Sequence, residues 1–513
     1  MRTFIERAQR FAPALILLGA VLLRAWMVAE GGQYFFGDEG RYDRGVQLYV
    51  ALAKGDFPGM RSVLAMPEHA MFPVVGAAVT AVQHLLAHLT PYGDWRHAEN
   101  IVFTMWLGAL VLSLFSTLNL FLTYRLARVA GADQREARWW LFLAAASNTL
   151  FYPARHLLPY SCALSAALLA LIVGLRVFSL RRAFLCGMLA ALSYHLYNGY
   201  WYLVPTVALA YCWWWRHERP RWLAPLGMGL GLCGGLFAPI CLGILCGGRQ
   251  YLLTMAAFSA TVTQGLFAEG WHLPWEFLWH AEGILGIVVL AATAVALTKF
   301  RATAPSRVWL WLLILGTGYS LLVLFSNGLG RFVVYARTVL PFTPFFCLVG
   351  GWAVAILLLN RARLSLLAAG VVAALAAWQL QPHFSRVFPR EIEIAVLKAY
   401  GVPKHSLSVA GSLYLPLDLP VSRPDLVLVN AQLLYPIRGY LGEPPGRTLL
   451  KFEHPLSYLP FQYESHTPAE RAFLRSHDIA IRLIQIPHPD QVPDDLPWPL
   501  RFQNSDRPTG RER

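Results

Sequence analysis

The sequence predicts an all-α polytopic membrane bundle of about 11 spans, followed by a small α/β domain outside the membrane. Of the 513 residues, 56% are hydrophobic and only 14% are charged, whereas soluble domains carry about a quarter charged residues. Several apolar runs approach or reach the roughly 20 residues that cross a bilayer. After residue 381 the composition changes sharply, because the chain becomes rich in proline and charged residues.

These changes in composition divide the chain into three parts. Residues 1–381 form the predicted membrane module, in which residues 31–100 are an outer loop with surface helices. Residues 382–498 form the predicted extracytoplasmic domain. Its segments EIEIAVLKAYG and PAERAFLRSHD have helical spacing, whereas DLVLVN and IAIRLIQI are β-branched runs typical of strands. Residues 499–513 are predicted to be a disordered tail.

The distribution of Lys and Arg predicts the topology, since cytoplasmic loops are enriched in both. MRTFIERAQR contains three Arg, which places the N-terminus in the cytoplasm and makes residues 11–30 the first span. The apolar run 70–89 is interrupted by Gly, Gln and His, so we expect it to lie along the outer face or dip into it. The remaining predicted spans are 101–123, 139–153, 158–178, 183–197, 199–215, 223–246, 276–298, 308–326, 339–360 and 364–381.

This topology has two consequences for localisation and partners. The C-terminal domain lies outside, and the chain is predicted to be a multi-pass protein of a bacterial inner membrane. The net charge of +14 is explained largely by the cationic cytoplasmic loops, so it does not indicate a nucleic-acid partner.

The first outer segment, DEGRYDRG, brings the adjacent carboxylates Asp38 and Glu39 to the point where the first span leaves the membrane. Apolar residues then recur with helical spacing from Val46 to Phe57, which predicts a helix on the membrane surface. Two interpretations are open. Acids are favoured at helix N-termini, so the pair either closes the end of this helix or supplies a general base on the outer face.

Two further outer segments contain acids and histidines. In MPEHAMFP, Glu68 and His69 either bind a cation or a phosphate or form a polar loop. In QGLFAEGWHLPWEFLWH, Glu269 and His272 are spaced i, i+3 and either bind an ion or belong to an aromatic belt at the interface.

Arginines near the outer ends of spans form the last group. Arg331, Tyr335 and Arg337 lie in SNGLGRFVVYARTVLPFTPFF. Arg24 lies in the outer half of the first span. Arginines at such positions either extend toward the interface or hold an anionic lipid phosphate, which the guanidinium geometry suits.

Taken in order, these segments resemble the GT-C superfamily of integral-membrane glycosyltransferases, in particular its protein mannosyltransferase and aminoarabinose transferase branch (glycosyltransferase family 39-like). LLRAW followed by DEGRYDRG and a GDF turn is similar to the family's first outer loop. PEHAMFPVVGAAV, GMLAALSYHLYNGYWYLVPTVAL and RFVVYARTVLPFTPFFCLVGG are similar to its later motifs. The sequence departs from the family in two places, with His69 where aminoarabinose-type members have Lys and with YHLYNG where Lys or Arg is common.

The resemblance implies an inverting transfer of a sugar from a polyprenyl-phosphate donor to an acceptor, which is a glycan, a lipid or a protein. It makes Asp38 the general base and Glu39 a supporting acid. It further assigns the donor phosphate to Arg331, Arg337, His69, Arg41 and Tyr335. The cofactor that fits this mechanism is a divalent metal ion, with Glu68, His272 and Glu269 as its predicted ligands.

Two other functions remain as alternatives. A transporter or flippase of lipid-linked sugar needs polar residues deep in several spans, and usually repeated halves. The predicted spans are poor in acids and lysines at mid-membrane, which disfavours that function. A non-catalytic envelope assembly protein would use the outer domain to bind a partner.

Overall fold

The computed structural model describes residues 2–29, 41–88, 98–263, 271–329 and 336–385, together with residue 399 and the strands 408–410, 426–430, 447–452 and 481–485. The helices within these ranges are α1 (Arg2–Ala29), α2 (Asp43–Lys54), α3 (Phe57–Leu64), α4 (Phe72–His88), α5 (Ala98–Val129), α6 (Gln134–Ala146), α7 (Asn148–Phe151), α8 (Tyr160–Arg176), α9 (Leu180–Leu196), α10 (Leu203–Trp214), α11 (Leu223–Thr263), α12 (Leu273–Phe300), α13 (Ser306–Val323), α14 (Ala336–Val339), α15 (Phe342–Leu357) and α16 (Ala362–Ser385).

Most of the predicted spans coincide with one helix each, and the chain is a multi-pass membrane protein. The spans predicted at 139–153 and 339–360 each cover parts of two helices. Within the described residues, six helical segments are long and apolar enough to cross a bilayer: Phe11–Ala29, Gly108–Val129, Leu223–Ala260, Ala281–Thr303, Ser306–Gly328 and Ala362–Gln381. Shorter apolar helices cover Phe72–Leu85, Tyr160–Arg176 and Phe342–Leu357. The count of eleven crossings and their orientation stay predictions.

Small residues bring α9 and α11 into close contact. Gly227, Gly231 and Gly235 recur every four residues on α11, and each faces α9. A Cβ atom on Gly231 would lie 2.0 Å from the backbone oxygen of Phe184, so a larger residue there would push the helices apart. Such small-residue stripes are a common means of helix packing in membranes. This close packing against α11 positions α9, and the Tyr197–Asn198 hairpin follows directly after α9.

Helix α11 breaks at Gly248, whose φ of 55° and ψ of −134° interrupt the helical backbone. A straight helix of this length would span roughly twice the hydrocarbon thickness of a bilayer. The predicted span 223–246 ends at this break, and a second helical segment runs on to Thr263. Phe258 of that second segment contacts His69, with ring centroids 6.4 Å apart.

A helix is present where one was predicted after DEGRYDRG: α2 buries Gly45, Leu48 and Ala51, while Phe57 is exposed. Its position on the membrane surface stays a prediction. The first residue of α2 is Asp43, and Tyr42 occupies the N-cap position without a side-chain hydrogen bond. Asp38 and Glu39 lie outside the described residues, so both interpretations of this pair stay predictions.

The buried side chains of Glu282 and Arg24 form hydrogen bonds to the two ends of the short helix α7. The Glu282 carboxylate accepts hydrogen bonds from the Ser147 hydroxyl at 2.7 Å and from the backbone N–H groups of Asn148 and Thr149 at 3.2 and 2.8 Å. At the other end, Arg24 donates to the Leu150 carbonyl at 3.3 Å. The Glu282 carboxylate therefore accepts from the first N–H groups of α7, and the Arg24 guanidinium donates to a carbonyl near its other end. This arrangement matches the polarity of a helix.

The backbone of α12 bends to place Glu282. Gly283 has a φ of 50° and a ψ of −136°. Next to this bend, the carbonyl of Ala281 accepts hydrogen bonds from the side-chain amides of Asn148 at 3.0 Å and Gln379 at 2.9 Å. The break in α12 is therefore compensated by hydrogen bonds from α7 and α16.

Four strands of the C-terminal region form one sheet in the order β1 (Ser408–Ala410), β2 (Leu426–Asn430), β4 (Ile481–Gln485) and β3 (Arg447–Phe452). Strands β1 and β2 are parallel, and the other pairs are antiparallel. The strands predicted from DLVLVN and IAIRLIQI are confirmed as β2 and β4. The predicted C-terminal helices and the predicted tail lie outside the described residues, apart from residue 399.

Candidate functional site

Four of the residues predicted for the site are linked by contacts at one end of the helix bundle. These are Arg41, Glu68, His69 and Arg337. Five others lie outside the described residues: Asp38, Glu39, Glu269, Arg331 and Tyr335.

The loop between α3 and α4 places a carboxylate against cations from the first outer segment. Arg41 donates through Nε to Glu68 Oε1 at 3.2 Å, and the Nε2 atom of His69 lies 3.3 Å from the same oxygen. Arg44 donates to the backbone oxygen of Glu68 at 2.7 Å. The predicted residues of two separate segments therefore form one cluster.

His69 is also held by the hairpin that follows α9. Its backbone N–H donates to Asn198 Oδ1 at 2.6 Å, and the Asn198 backbone N–H donates to His69 Nδ1 at 3.1 Å. Because Nδ1 accepts a hydrogen bond, the proton of the neutral ring is on Nε2, which faces Glu68. The Tyr197 ring stacks on the imidazole with ring centroids 5.0 Å apart.

An aromatic bridge connects this cluster to Arg337. Tyr197 contacts Tyr160 edge to face, with centroids 4.7 Å apart. The Tyr160 hydroxyl accepts a hydrogen bond from Arg337 Nη1 at 3.1 Å. The Tyr202 hydroxyl donates to the carbonyl of Thr338, so the hairpin side also holds the backbone next to Arg337. The segment that contains Arg337 thereby joins the first two outer segments and the hairpin after α9.

The cluster sets distinct protonation states for its acid and its histidine. Burial raises the pKa of Glu68, but the contact with His69 and the charges of Arg41 and Arg44 outweigh it and hold this pKa well below its ordinary value. Burial, followed by the charge of Arg41, lowers the pKa of His69 to about 4. At neutral pH Glu68 is therefore a carboxylate and His69 a neutral imidazole.

This depressed pKa predicts a pH dependence of stability. As pH falls from 6.5 to about 4, the unfolded chain protonates His69 while the folded chain does not, so folding stability decreases over that window. We expect the His69→Gln variant to lose unfolding temperature less steeply than the wild type between these pH values. Thermal unfolding of the purified protein in nanodiscs, measured across the window, tests this.

The matched control for this prediction is His217→Gln, because His217 is exposed in the loop after α10. It should leave the pH slope of the unfolding temperature unchanged. Equal slopes for the wild type and His69→Gln would contradict a neutral, buried His69.

The predicted metal site stays a prediction. His272 is exposed at the N-cap of α12, whereas Glu68 is engaged with Arg41 and His69. In the described ranges, no group of three or more His, Cys, Asp or Glu side chains is arranged to hold a metal ion. Glu269 belongs to the residues not described.

Sequence reasoning did not select the residues that join the site together. The YHLYNG hairpin was recognised as a departure from the family motif, but Tyr197 and Asn198 were not assigned a role. Tyr160 carried no signal at all. Arg24, for which an interfacial or phosphate-binding position was predicted, is 1% exposed and donates to Ser116 and to the Leu150 carbonyl.

Among the comparisons with known proteins, the comparison with solved structures is the one that finds similarity. No family model matches the chain, and no curated protein matches it. The structure is similar to that of ArnT from Cupriavidus metallidurans in the apo state, with 15% sequence identity, a TM-score of 0.40, and coverage of 75% of this chain and 72% of that chain. It is similar over the same shares to ArnT bound to undecaprenyl phosphate, with 13% identity and a TM-score of 0.40.

Proposed function

We propose that this chain is an inverting glycosyltransferase that moves a sugar from a polyprenyl-phosphate donor to an acceptor on the outer face of the membrane. The observation that supports it best is the meeting of four chain segments at one end of the bundle. Arg41, His69, Asn198 and Arg337 come one from each of the four segments whose order resembles the GT-C family.

The charges of this cluster suit a lipid phosphate. Among its described residues, Arg41, Arg44 and Arg337 carry positive charge, whereas Glu68 is the one carboxylate. Guanidinium groups in partly buried surroundings bind phosphate oxygens strongly. They would also stabilise the negative charge that develops on the departing lipid phosphate.

The acceptor needs a base, and the proposal assigns that role to Asp38, with Glu39 in support. Asp38 lies three positions before Arg41 in the chain. A single displacement at the anomeric carbon inverts its configuration and needs no second carboxylate as nucleophile. Arg331 and Tyr335 are proposed to complete the phosphate site, and a divalent ion near Glu68, Glu269 and His272 is a further proposal.

A groove on the outside of the bundle is proposed to bind the lipid chain of the donor. A shallow groove of about 450 Å³ follows α13 from Leu312 to Leu324, with Gly316 and Ser320 between the aliphatic side chains. The next residue, Phe325, contacts Trp201, with centroids 4.6 Å apart. The groove therefore leads toward the hairpin that carries Asn198, and its apolar lining suits a prenyl chain.

Deletion of the coding sequence tests the proposed function. We expect mass analysis of envelope glycans, glycolipids and glycoproteins to show the loss of one sugar unit, and re-expression of the wild type to restore it. An unchanged glycan profile, combined with altered transport of a lipid-linked sugar, would favour the flippase alternative. The described charges inside the spans, Arg24 and Glu282, bind protein groups and form no path of the kind that a transporter needs.

A further inference from the structure

We infer that Asn198 is a positioning residue of this site, which holds His69 in one orientation and, through His69 and Glu68, sets the position of Arg41. The inference rests on the proposed function. It concerns a residue at which the hairpin departs from the family motif, and the contacts that carry it come from three separate segments of the chain.

The first step is the backbone of His69, which has a φ of 49°. A residue with a Cβ atom rarely adopts this left-handed conformation, so neighbouring contacts must maintain it. The bond from its N–H to Asn198 Oδ1 is one such contact. A second bond, from the Met71 N–H to the His195 carbonyl at 3.0 Å, ties the same loop to the end of α9.

The second step is the imidazole ring. The Asn198 backbone N–H fixes Nδ1 as an acceptor, while Tyr197 and Phe258 cover the ring from two sides. The His69 side chain is 4% exposed. The Nε2–H group can therefore face Glu68 in only one arrangement.

The third step leads from His69 to the cations. The charged groups facing His69 are Glu68 and, through it, Arg41 and Arg44. His69 Nε2 and Arg41 Nε lie against the same oxygen, Glu68 Oε1, so the position of the ring limits where the guanidinium can lie.

Asparagine meets both requirements of this position without adding charge. Its Oδ1 accepts from His69, and its Nδ2 donates to the Tyr194 carbonyl at 3.3 Å. Ala at this position would remove both side-chain bonds and keep the backbone N–H that donates to His69 Nδ1.

The test measures binding of undecaprenyl phosphate to the full-length protein in nanodiscs at one pH, in a double-mutant cycle of Asn198→Ala and Arg41→Ala. We expect Asn198→Ala alone to weaken binding about tenfold. In the Arg41→Ala background the same substitution should cause little further loss, because Asn198 acts through Arg41.

Asn119→Ala is the matched control. Asn119 is buried and hydrogen-bonded to Ser161 and Ser165, so the variant removes the same side-chain amide elsewhere in the bundle. Any loss of affinity that it causes should be the same with and without Arg41. A purely structural role for Asn198 would give the same additive losses, and wild-type binding by Asn198→Ala would overturn the inference as well.

Failure of the proposed function would appear differently. In that case the wild type would not bind undecaprenyl phosphate at any pH. The unfolding temperature of the ligand-free protein would still report on the contact: the losses caused by Asn198→Ala and His69→Ala should be less than additive. Additive losses would overturn the positioning of His69 by Asn198, whatever the ligand.

Discussion

Replacing Asp38 by Asn should abolish sugar transfer while leaving the protein folded in the membrane. The substitution conserves the size of the side chain but removes the base that takes the acceptor proton, and loss of general base catalysis costs about 10²–10⁴-fold in rate. We expect Asp38→Asn to fail to restore the glycan that is lost on deletion. Glycan mass analysis of the complemented strain, with the amount of protein in the membrane fraction measured in parallel, tests this.

Asp56→Asn is the matched control for this prediction. Asp56 caps α3 in the same outer segment and accepts from the Gly59 N–H at 3.0 Å. Asn caps a helix about as well as Asp, so this variant should restore the glycan fully. An active Asp38→Asn protein would remove Asp38 from the proposed mechanism.

The largest effect on stability is expected at the buried carboxyl group that holds α7. Glu282→Leu removes the acceptor of three donors, the Ser147 hydroxyl and the N–H groups of Asn148 and Thr149. Leaving a buried donor without its acceptor costs about 1–3 kcal/mol. We therefore expect Glu282→Leu to lower the free energy of unfolding by an amount of this order. Glu282→Gln, which keeps one acceptor oxygen, should lose less.

Two comparisons make this prediction specific. Glu136, which is paired with Arg307 at 2.7 Å, is a second buried carboxylate, and Glu136→Leu should show a comparable loss for the same physical reason. Glu218 is exposed, and Glu218→Leu should change the free energy of unfolding by no more than about 0.5 kcal/mol. A Glu282→Leu protein with wild-type stability in chemical unfolding would show that the carboxylate does not hold α7.

The strands and spans show what local patterns can and cannot predict. Strands β2 and β4 were predicted because their β-branched residues form uninterrupted runs. Strand β3 was missed because Arg447 and Lys451 interrupt its apolar pattern, and it contains a register shift between Thr448 and Leu450. The span predicted at 139–153 proved to be α6 and the separate short helix α7. Ser147 is the C-cap residue of α6. Its hydroxyl donates to Glu282, which lies 135 positions away in the chain.

The sequence by itself determined that this is a multi-pass helical membrane protein, where most of its helices lie, and which polar segments carry acids and cations. These properties follow from the length and spacing of apolar runs, which are local. Only the tertiary structure decided which of the polar residues meet. Asn198 binds His69 across 129 positions, and Arg24 binds Leu150 across 126. Such pairings depend on how the helices pack, so the same residue types in the same order do not reveal them.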